Sequence, residues 1–264
     1  MRILFFGDIV GKVGRRAIDK ILPEYKKKYQ PDLIIANAEN LAHGVGVTIN
    51  TVEEILNSGI DVLTGGNDTF RKTGFEEVFL QFENKIIRPA NYPVEVAGRG
   101  YTTLKVGQQR VIIINLNGRV FFYENLDCPF KKFDEIYELL KIAKNDIVLV
   151  DFHAEATSEK SALGWYVDGK VTAVLGTHTH IPTADTKILP GDTAFVTDIG
   201  MTGARDSIIG TDKAGPLYTF LTQLPAKFER PEDGIAQVGA ILLDIDNKNG
   251  RAKSIKRVDT EVLI

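Results

Sequence analysis

The chain has 264 residues, of which 44% are hydrophobic and 25% are charged, proportions close to those of soluble globular proteins. They argue against a disordered chain, a collagen-like repeat and a disulfide scaffold. Because 32 Lys and Arg residues face 35 Asp and Glu residues, no basic field exists to hold a nucleic-acid backbone, and we expect no stable nucleic-acid partner.

The first apolar run, residues 3–6, is much shorter than the core of a signal peptide, and we interpret it as a strand. No other stretch approaches the roughly 20 apolar residues that a membrane-spanning helix needs. The single cysteine, Cys128, cannot form an internal disulfide, which favours a reducing compartment. We therefore expect a cytoplasmic protein with no membrane partner.

The first third of the chain alternates short apolar runs with segments of helical period. We predict strands at 3–6, 33–36 and 62–64 and helices at 14–29, 51–58 and 74–82. This alternation is typical of an α/β fold, in which helices cover the faces of a sheet whose strands are apolar on both sides.

From residue 101 the pattern changes to strands that follow one another directly. We predict a hairpin at 101–106 and 111–116, a helix at 131–144, strands at 147–150 and 171–175, and a last hairpin at 237–245 and 252–258. No repeat or linker interrupts the chain. We therefore expect one domain, residues 1–264, with two mixed sheets packed together and covered by helices.

Polar residues stand just beyond the apolar runs, where open α/β sheets place their ligand sites. They are Asp8, Glu39, Asn40, Asn67, His153, His178 and His180. Carboxylates, carboxamides and imidazoles suit divalent manganese, iron or zinc. Seven ligands are too many for one ion, but they fit two metals about 3.5 to 4 Å apart that share a carboxylate.

The two histidines at 178 and 180 would point to the same side of a continuous strand. We expect Gly176 to end the strand, so that residues 178–180 form a loop in which both imidazoles reach the site.

Each residue also has an ordinary interpretation when it is taken alone. Asp8 would cap the next helix, and Asn67 with Asp68 is a common turn signal. His43, in a glycine-flanked segment after Asn40, either reaches the same site or is simply solvated. Residues 44–46 have too few glycines for a dinucleotide-binding motif. The joint placement of the polar residues after successive strands is what favours a metal site.

Five sequence blocks carry a resemblance to a known family. They are Gly-Asp at 7–8, Asn-Ala-Glu-Asn at 37–40, Gly-Gly-Asn at 65–67, the block at 151–160 beginning Asp-Phe-His, and Gly-Thr-His-Thr-His at 176–180. Over nearly its whole length the chain resembles the YmdB-like family of bacterial calcineurin-type metallophosphoesterases.

The resemblance implies a metallophosphoesterase-like, four-layer α-β-β-α sandwich that hydrolyses 2',3'-cyclic nucleotides or related phosphodiesters through a metal-bound hydroxide. It implies two divalent metal ions, iron or manganese with zinc as a further option, and a homo-oligomer. It assigns the bridging position to Glu39. By position, Asp8, Asn40 and His180 would bind one metal, and Asn67, His153 and His178 the other.

The chain departs from the family pattern at position 68, because the family places a proton-donating histidine directly after Asn67. Asp68 stands there instead, and a carboxylate near two cations is a poor proton donor at neutral pH. Either catalysis is weak, or His43 supplies the proton, or the substrate needs little protonation. The alternative to an active phosphodiesterase is a metal- and nucleotide-binding regulatory protein with weak catalysis.

Overall fold

Fourteen strands and six helices follow one another along residues 1–264 of the computed structural model. The strands are β1 (Arg2–Ile9), β2 (Leu33–Asn37), β3 (Val62–Thr64), β4 (Tyr101–Val106), β5 (Gln109–Asn117), β6 (Ile147–His153), β7 (Ala173–Thr177), β8 (Lys187–Ile188), β9 (Ala194–Val196), β10 (Met201–Ala204), β11 (Ile235–Val238), β12 (Ala240–Ile245), β13 (Ala252–Arg257) and β14 (Thr260–Leu263). The helices are α1 (Gly11–Tyr29), α2 (Ile49–Ser58), α3 (Phe75–Gln81), α4 (Pro129–Leu139), α5 (Thr157–Tyr166) and α6 (Ala214–Thr222). None of the helices has the length and apolar composition that crossing a membrane requires.

Both sheets are mixed, as the sequence predicts. In the first sheet β1 pairs with parallel β2 on one edge, and β3 lies beyond β2. On its other edge β1 pairs first with antiparallel β12 and then with parallel β10. The second sheet has the order β4-β5-β6-β7-β9-β8, in which β5, β6, β7 and β9 are parallel.

Alternate side chains of the buried strands face different apolar layers. In β1, Ile3 and Phe5 pack against the second sheet, whereas Leu4 and Phe6 pack under helices of the first sheet. In β6, Ile147 and Leu149 share that central layer, and the alternate residues Val148 and Val150 face α4 and α5. A strand that is apolar on both sides therefore builds a four-layer α-β-β-α sandwich, which confirms the predicted fold class.

Several predicted elements are confirmed. The strands at 101–106 and 111–116 form an antiparallel hairpin, with a turn at Gly107 and Gln108 between Val106 and Gln109. The last hairpin is β12 and β13. Helix α2 begins at a Thr48 cap, in which the side chain accepts the Thr51 N–H, and ends at Gly59 with a φ of 109°.

Other predicted boundaries are wrong, and each has a local cause. The helix predicted at 131–144 is α4, which ends at Leu139 because Lys141 adopts a left-handed φ of 46°. The strand predicted at 237–245 is two strands, since the backbone at Gly239 bonds both to Met201 and to Gly7. Helix α1 begins at Gly11 rather than at residue 14.

The expectation that Gly176 ends its strand is also wrong, because β7 continues to Thr177. A Cβ at Gly176 would lie 1.7 Å from the carbonyl oxygen of Thr197, so glycine is needed here for the close packing of the backbone segment that follows β9. The loop predicted at 178–180 is present and follows Thr177 directly. Helices α5 and α6 and strands β8, β9, β10 and β14 were not predicted.

Candidate metal centre

The carboxyl ends of β1, β2, β3, β6 and β7 meet at one edge of the sandwich. The backbone N–H of His178, directly after β7 of the second sheet, donates to Oδ2 of Asp8, in β1 of the first, at 3.1 Å. Glu39 Oε1 lies 3.1 Å from His153 Nε2 across the same junction. The structure brings together all seven residues that the sequence predicts as ligands.

Glu39 belongs to two groups of converging donor atoms. Its carboxylate lies with His153 and His178 in one group and with Asp8 and His180 in the other, with the atoms of each group within 4.8 Å of one another. Both groups are almost entirely buried, and His178 is the most accessible member. Two neighbouring cation sites could therefore share this carboxylate.

His180 and Asn40 direct lone pairs at one another. The Nδ1 of His180 lies 2.9 Å from the carbonyl oxygen of Ile209, which can only accept, so Nδ1 carries the hydrogen of the neutral ring. The Asn40 amide donates to the Gly44 carbonyl oxygen, which turns its own oxygen toward His180 Nε2 at 3.0 Å. Two acceptors this close fit a bound cation or a protonated imidazole.

His153 is oriented by a buried chain of hydrogen bonds. Thr177 donates its single hydroxyl hydrogen to Asp151 Oδ1 at 2.7 Å, so its oxygen accepts from Nδ1 of His153 at 2.9 Å. The Nε2 lone pair then faces the Asn67 oxygen at 3.2 Å. Asp151 is held in turn by Asn37, and burial raises the pKa of this carboxyl.

His178 completes the pattern from the loop after β7. Its Nε2 lies 3.1 Å from the carboxylate of Glu155, which leaves Nδ1 facing His153 Nε2 at 3.0 Å. Its ring also packs against Phe122, with centroids 4.9 Å apart. His178 and His180 both adopt left-handed φ values, 102° and 65°, and this turns the two imidazoles into the site.

Ionisation of the centre follows from burial and mutual charge. Burial disfavours a charge on His153, but the carboxylates of Glu39 and Asp8 outweigh burial and raise its pKa to about 9. Burial would raise the pKa of Glu39, but His153 lowers it. Burial and the charge of His153 lower the pKa of His178 to about 3. Without an ion, a proton on His153 thus offsets the carboxylate charge.

The surroundings fit divalent ions. The Oδ1 atom of Asp8 is buried and has no hydrogen-bond partner. A Cβ at Gly66 would lie 2.3 Å from Glu39 Oε2 and 2.4 Å from His153 Nε2, so only glycine leaves this space open. Oxygen and imidazole donors with converging lone pairs suit manganese, iron or zinc.

Asp68 lies beside the centre, whereas His43 does not line the same cavity. The backbone N–H of Asp68 donates to Glu39 at 2.9 Å, and its carboxylate accepts from Asn67 and from Arg71. Burial and then the charge of Glu39 raise the pKa of Asp68. His43 is exposed and lines a neighbouring groove.

The metal centre forms the floor of a cavity of about 400 Å³. Its wall includes Phe228 and Arg230, which the sequence interpretation did not select because no strand end or motif marks them. A buried ion pair, Lys160 with Asp198, also escaped prediction as a feature of the site. Lys160 lies in the 151–160 block, which was its only signal in the sequence.

Comparisons with known proteins agree with this geometry. Residues 4–258 match the model of a family described as YmdB-like protein. A Bacillus subtilis protein named 2',3'-cyclic-nucleotide 2'-phosphodiesterase is 44% identical, and the match covers 98% of this chain and 96% of that protein.

Two crystal structures have the same fold over nearly the whole chain. A hypothetical protein of Thermus thermophilus has a TM-score of 0.90 and 39% identity, covering 99% of both chains. A phosphatase of Mycoplasma pneumoniae has a TM-score of 0.91 and 34% identity, covering 99% of this chain and 93% of that one. The predicted enzyme class, a hydrolase of phosphoesters, is confirmed, and the chain belongs to the YmdB-like family.

Proposed function

We propose that this protein is a dinuclear-metal phosphodiesterase that hydrolyses 2',3'-cyclic nucleotides. The observation that carries the proposal is the position of Glu39 between two groups of buried donor atoms. The name of the Bacillus subtilis relative supports the substrate class. The cavity of about 400 Å³ in this chain has room for a mononucleotide above the metal centre.

We assign the residues to two metals, iron or manganese, with zinc as a further option. Glu39 would be shared by the two metals. Asp8, Asn40 and His180 would hold one metal, and Asn67, His153 and His178 would hold the other. The orientation of the three imidazoles supports this division. Ile209, Thr177 and Glu155 contact the outer nitrogens of His180, His153 and His178 respectively, so the other nitrogen of each ring faces the site.

When bound, two such ions lower the pKa of a water nucleophile and offset the negative charge of the phosphoryl oxygens. The protein groups hold the imidazoles in the required tautomers and exclude bulk water from the buried donor atoms. The leaving alkoxide then needs a proton. Asp68 occupies the expected position of the donor, but its carboxylate accepts hydrogen bonds from Asn67 and Arg71.

Asp68 therefore limits catalysis in this proposal. Replacing Asp68 with histidine should raise turnover of 2',3'-cyclic AMP by about 10²- to 10⁴-fold, the usual contribution of general acid catalysis. The assay compares the native chain and Asp68→His after loading with manganese, with bound metal measured in both. Equal or lower turnover at equal metal content would show that position 68 is not limiting.

His43 is the other proton donor to test. It lies in the groove next to the cavity, and the side chain of Arg230 borders both spaces. If the native chain is already fast, His43→Ala should lower turnover. No change in turnover would remove His43 from the mechanism.

A second candidate function is a metal- and nucleotide-binding regulatory protein with weak catalysis. The hydrogen bonds that hold Asp68 as an acceptor favour it. Slow hydrolysis by the native chain, together with tight binding of the nucleotide, would support this function. Fast hydrolysis would exclude it.

We also propose that residues 1–264 act as one domain and assemble as a homo-oligomer. Strand β1 pairs with strands from both ends of the chain, which supports one folding unit.

Helix α6 exposes Leu217, Phe220 and Leu221, with Leu221 83% exposed, which suits a contact with a second copy. Leu221→Glu should lower the mass measured by sedimentation, and an unchanged mass would exclude this contact. Cytoplasmic location stays a prediction from the sequence.

A further inference from the structure

A short segment far along the chain forms one wall of the cavity. Residues 228–230, which we call the recognition arm, stand between Pro225 and Pro231. Both prolines restrict the backbone. The arm is anchored by the Asp212 N–H, which donates to the Glu229 carbonyl oxygen at 2.9 Å. Side chains two residues apart, Phe228 and Arg230, both line the cavity.

Arg230 presents a cation that the protein does not pair. No carboxylate forms an ion pair with it, and its one hydrogen bond is a long 3.4 Å contact from Nη2 to the Gly44 carbonyl oxygen. A guanidinium carries five N–H donors, so most of them are free for a ligand. The fork suits the oxygens of a phosphoryl group.

Glycine at position 44 makes the approach of Arg230 possible. A Cβ there would lie 2.1 Å from Nε of Arg230, and the residue adopts a φ of 79°. The guanidinium therefore lies against the bare backbone of Gly44, which directly follows His43 and stands four residues after Asn40. This contact holds the charge at the wall of the metal cavity.

Phe228 supplies the one aromatic surface of the cavity other than the imidazoles. Its side chain is 52% exposed, although a phenylalanine usually avoids water. The rest of the lining is polar except for Ile209. A nucleobase has an apolar face that stacks on such a ring, and the stacking tolerates different bases.

We propose that the recognition arm binds the nucleotide substrate, with the base stacked on Phe228 and a phosphoryl oxygen held by Arg230. This inference rests on the proposed function and adds the residues that select a nucleotide over a smaller phosphoester. Purine rings have more stacking surface than pyrimidine rings, so the arm favours 2',3'-cyclic AMP over 2',3'-cyclic CMP.

The test measures binding and turnover separately in the manganese-loaded protein. Calorimetry gives the Kd of 3'-AMP and of inorganic phosphate, and kinetics give KM and kcat for both cyclic nucleotides. The variants are Phe228→Leu, which keeps apolar bulk without the ring, and Arg230→Met. Lys227→Met is the matched control, because Lys227 precedes the arm, is 85% exposed and does not line the cavity.

Phe228→Leu should weaken 3'-AMP binding about tenfold, remove the purine preference in KM and leave phosphate binding unchanged. Arg230→Met should weaken both ligands about tenfold or more, since hydrogen bonds to charged groups are the strong ones. Lys227→Met should change neither.

Unchanged 3'-AMP affinity in Phe228→Leu and Arg230→Met would overturn the inference. So would an equal loss of phosphate and nucleotide binding in Phe228→Leu, because that pattern indicates a structural role for the ring. Absence of turnover with normal 3'-AMP binding would instead contradict the proposed function and leave the arm supported.

Discussion

The buried ion pair beneath the histidine loop allows a quantitative test. The Nζ of Lys160 lies 2.7 Å from Oδ2 of Asp198, and the two side chains are 2% and 1% exposed. Asp198 also accepts the backbone N–H of Thr179 at 3.1 Å and that of Gly200 at 2.7 Å. Thr179 stands between the two left-handed histidines, so Asp198 anchors the loop that carries them.

Replacing Lys160 with methionine leaves a buried carboxylate without its counter-charge. Removing one partner of a buried pair costs about 3 to 5 kcal/mol. For a chain of this size that corresponds to a fall in Tm of roughly 6 to 20 °C. Because the loop then loses a fixed anchor, manganese affinity should also fall about 10- to 100-fold, as for other residues that orient metal ligands.

The assay is chemical denaturation of the metal-free protein, combined with manganese titration. Lys170→Met is the control, since Lys170 forms a surface pair with Asp134 at 3.4 Å and such pairs contribute about 0 to 1 kcal/mol. The double variant Lys160→Met with Asp198→Asn should lose less stability than the two single losses added together. Strict additivity, or a loss below about 1 kcal/mol for Lys160→Met, would refute this reasoning.

Three further perturbations test the centre itself. Gly66→Ala should lower manganese content about tenfold or more at a fixed metal concentration, because the added methyl group enters the space between Glu39 and His153; metal analysis of the purified variant checks this, and normal content would contradict it. Thr177→Val should weaken manganese binding about 10- to 100-fold in a titration, because the Nδ1 hydrogen of His153 loses its acceptor. Circular dichroism should show an unchanged fold. Unchanged affinity would show that Thr177 does not orient the ring. Removing metal with a chelator should lower the Tm by about 5 to 11 °C relative to protein at a metal concentration 100 times the Kd, and a Tm that ignores the chelator would argue against resident ions.

Local patterns in the sequence were sufficient for the fold class. Strands such as β1 and β6 are apolar on both faces, and that property alone requires two covering layers for each sheet. The ends of individual strands were harder to predict, because they depend on backbone hydrogen bonds to distant segments of the chain. The division between β11 and β12 at Gly239 arises from backbone bonds to Met201 and Gly7, which lie 38 and 232 residues away in the chain.

Helix α6 was not predicted because its sequence has no helical period. Its residues are apolar around most of the helix, and only Pro216 is buried. A helical period is visible only when one face is apolar and the other polar, so this segment carried no readable signal.

The candidate site divides in the same way. The sequence already places the seven polar residues directly after apolar runs, at or near the carboxyl ends of strands, and parallel strands present those ends at a common edge. The tertiary structure shows which donor atoms lie with Glu39 in each group. It also shows that Asp68, and not His43, lines the cavity.

Long-range contacts account for the rest. The Lys160–Asp198 pair joins residues 38 positions apart, and the contact of Arg230 with Gly44 spans 186. Neither residue pair follows from local periodicity, because only the folded chain sets the distance between them. The chemistry of the ligands and the sheet edge at which they gather can therefore be predicted from residue types and strand pattern. The orientation of those ligands, and the side chains that form the wall around them, depend on contacts that exist only in the folded chain.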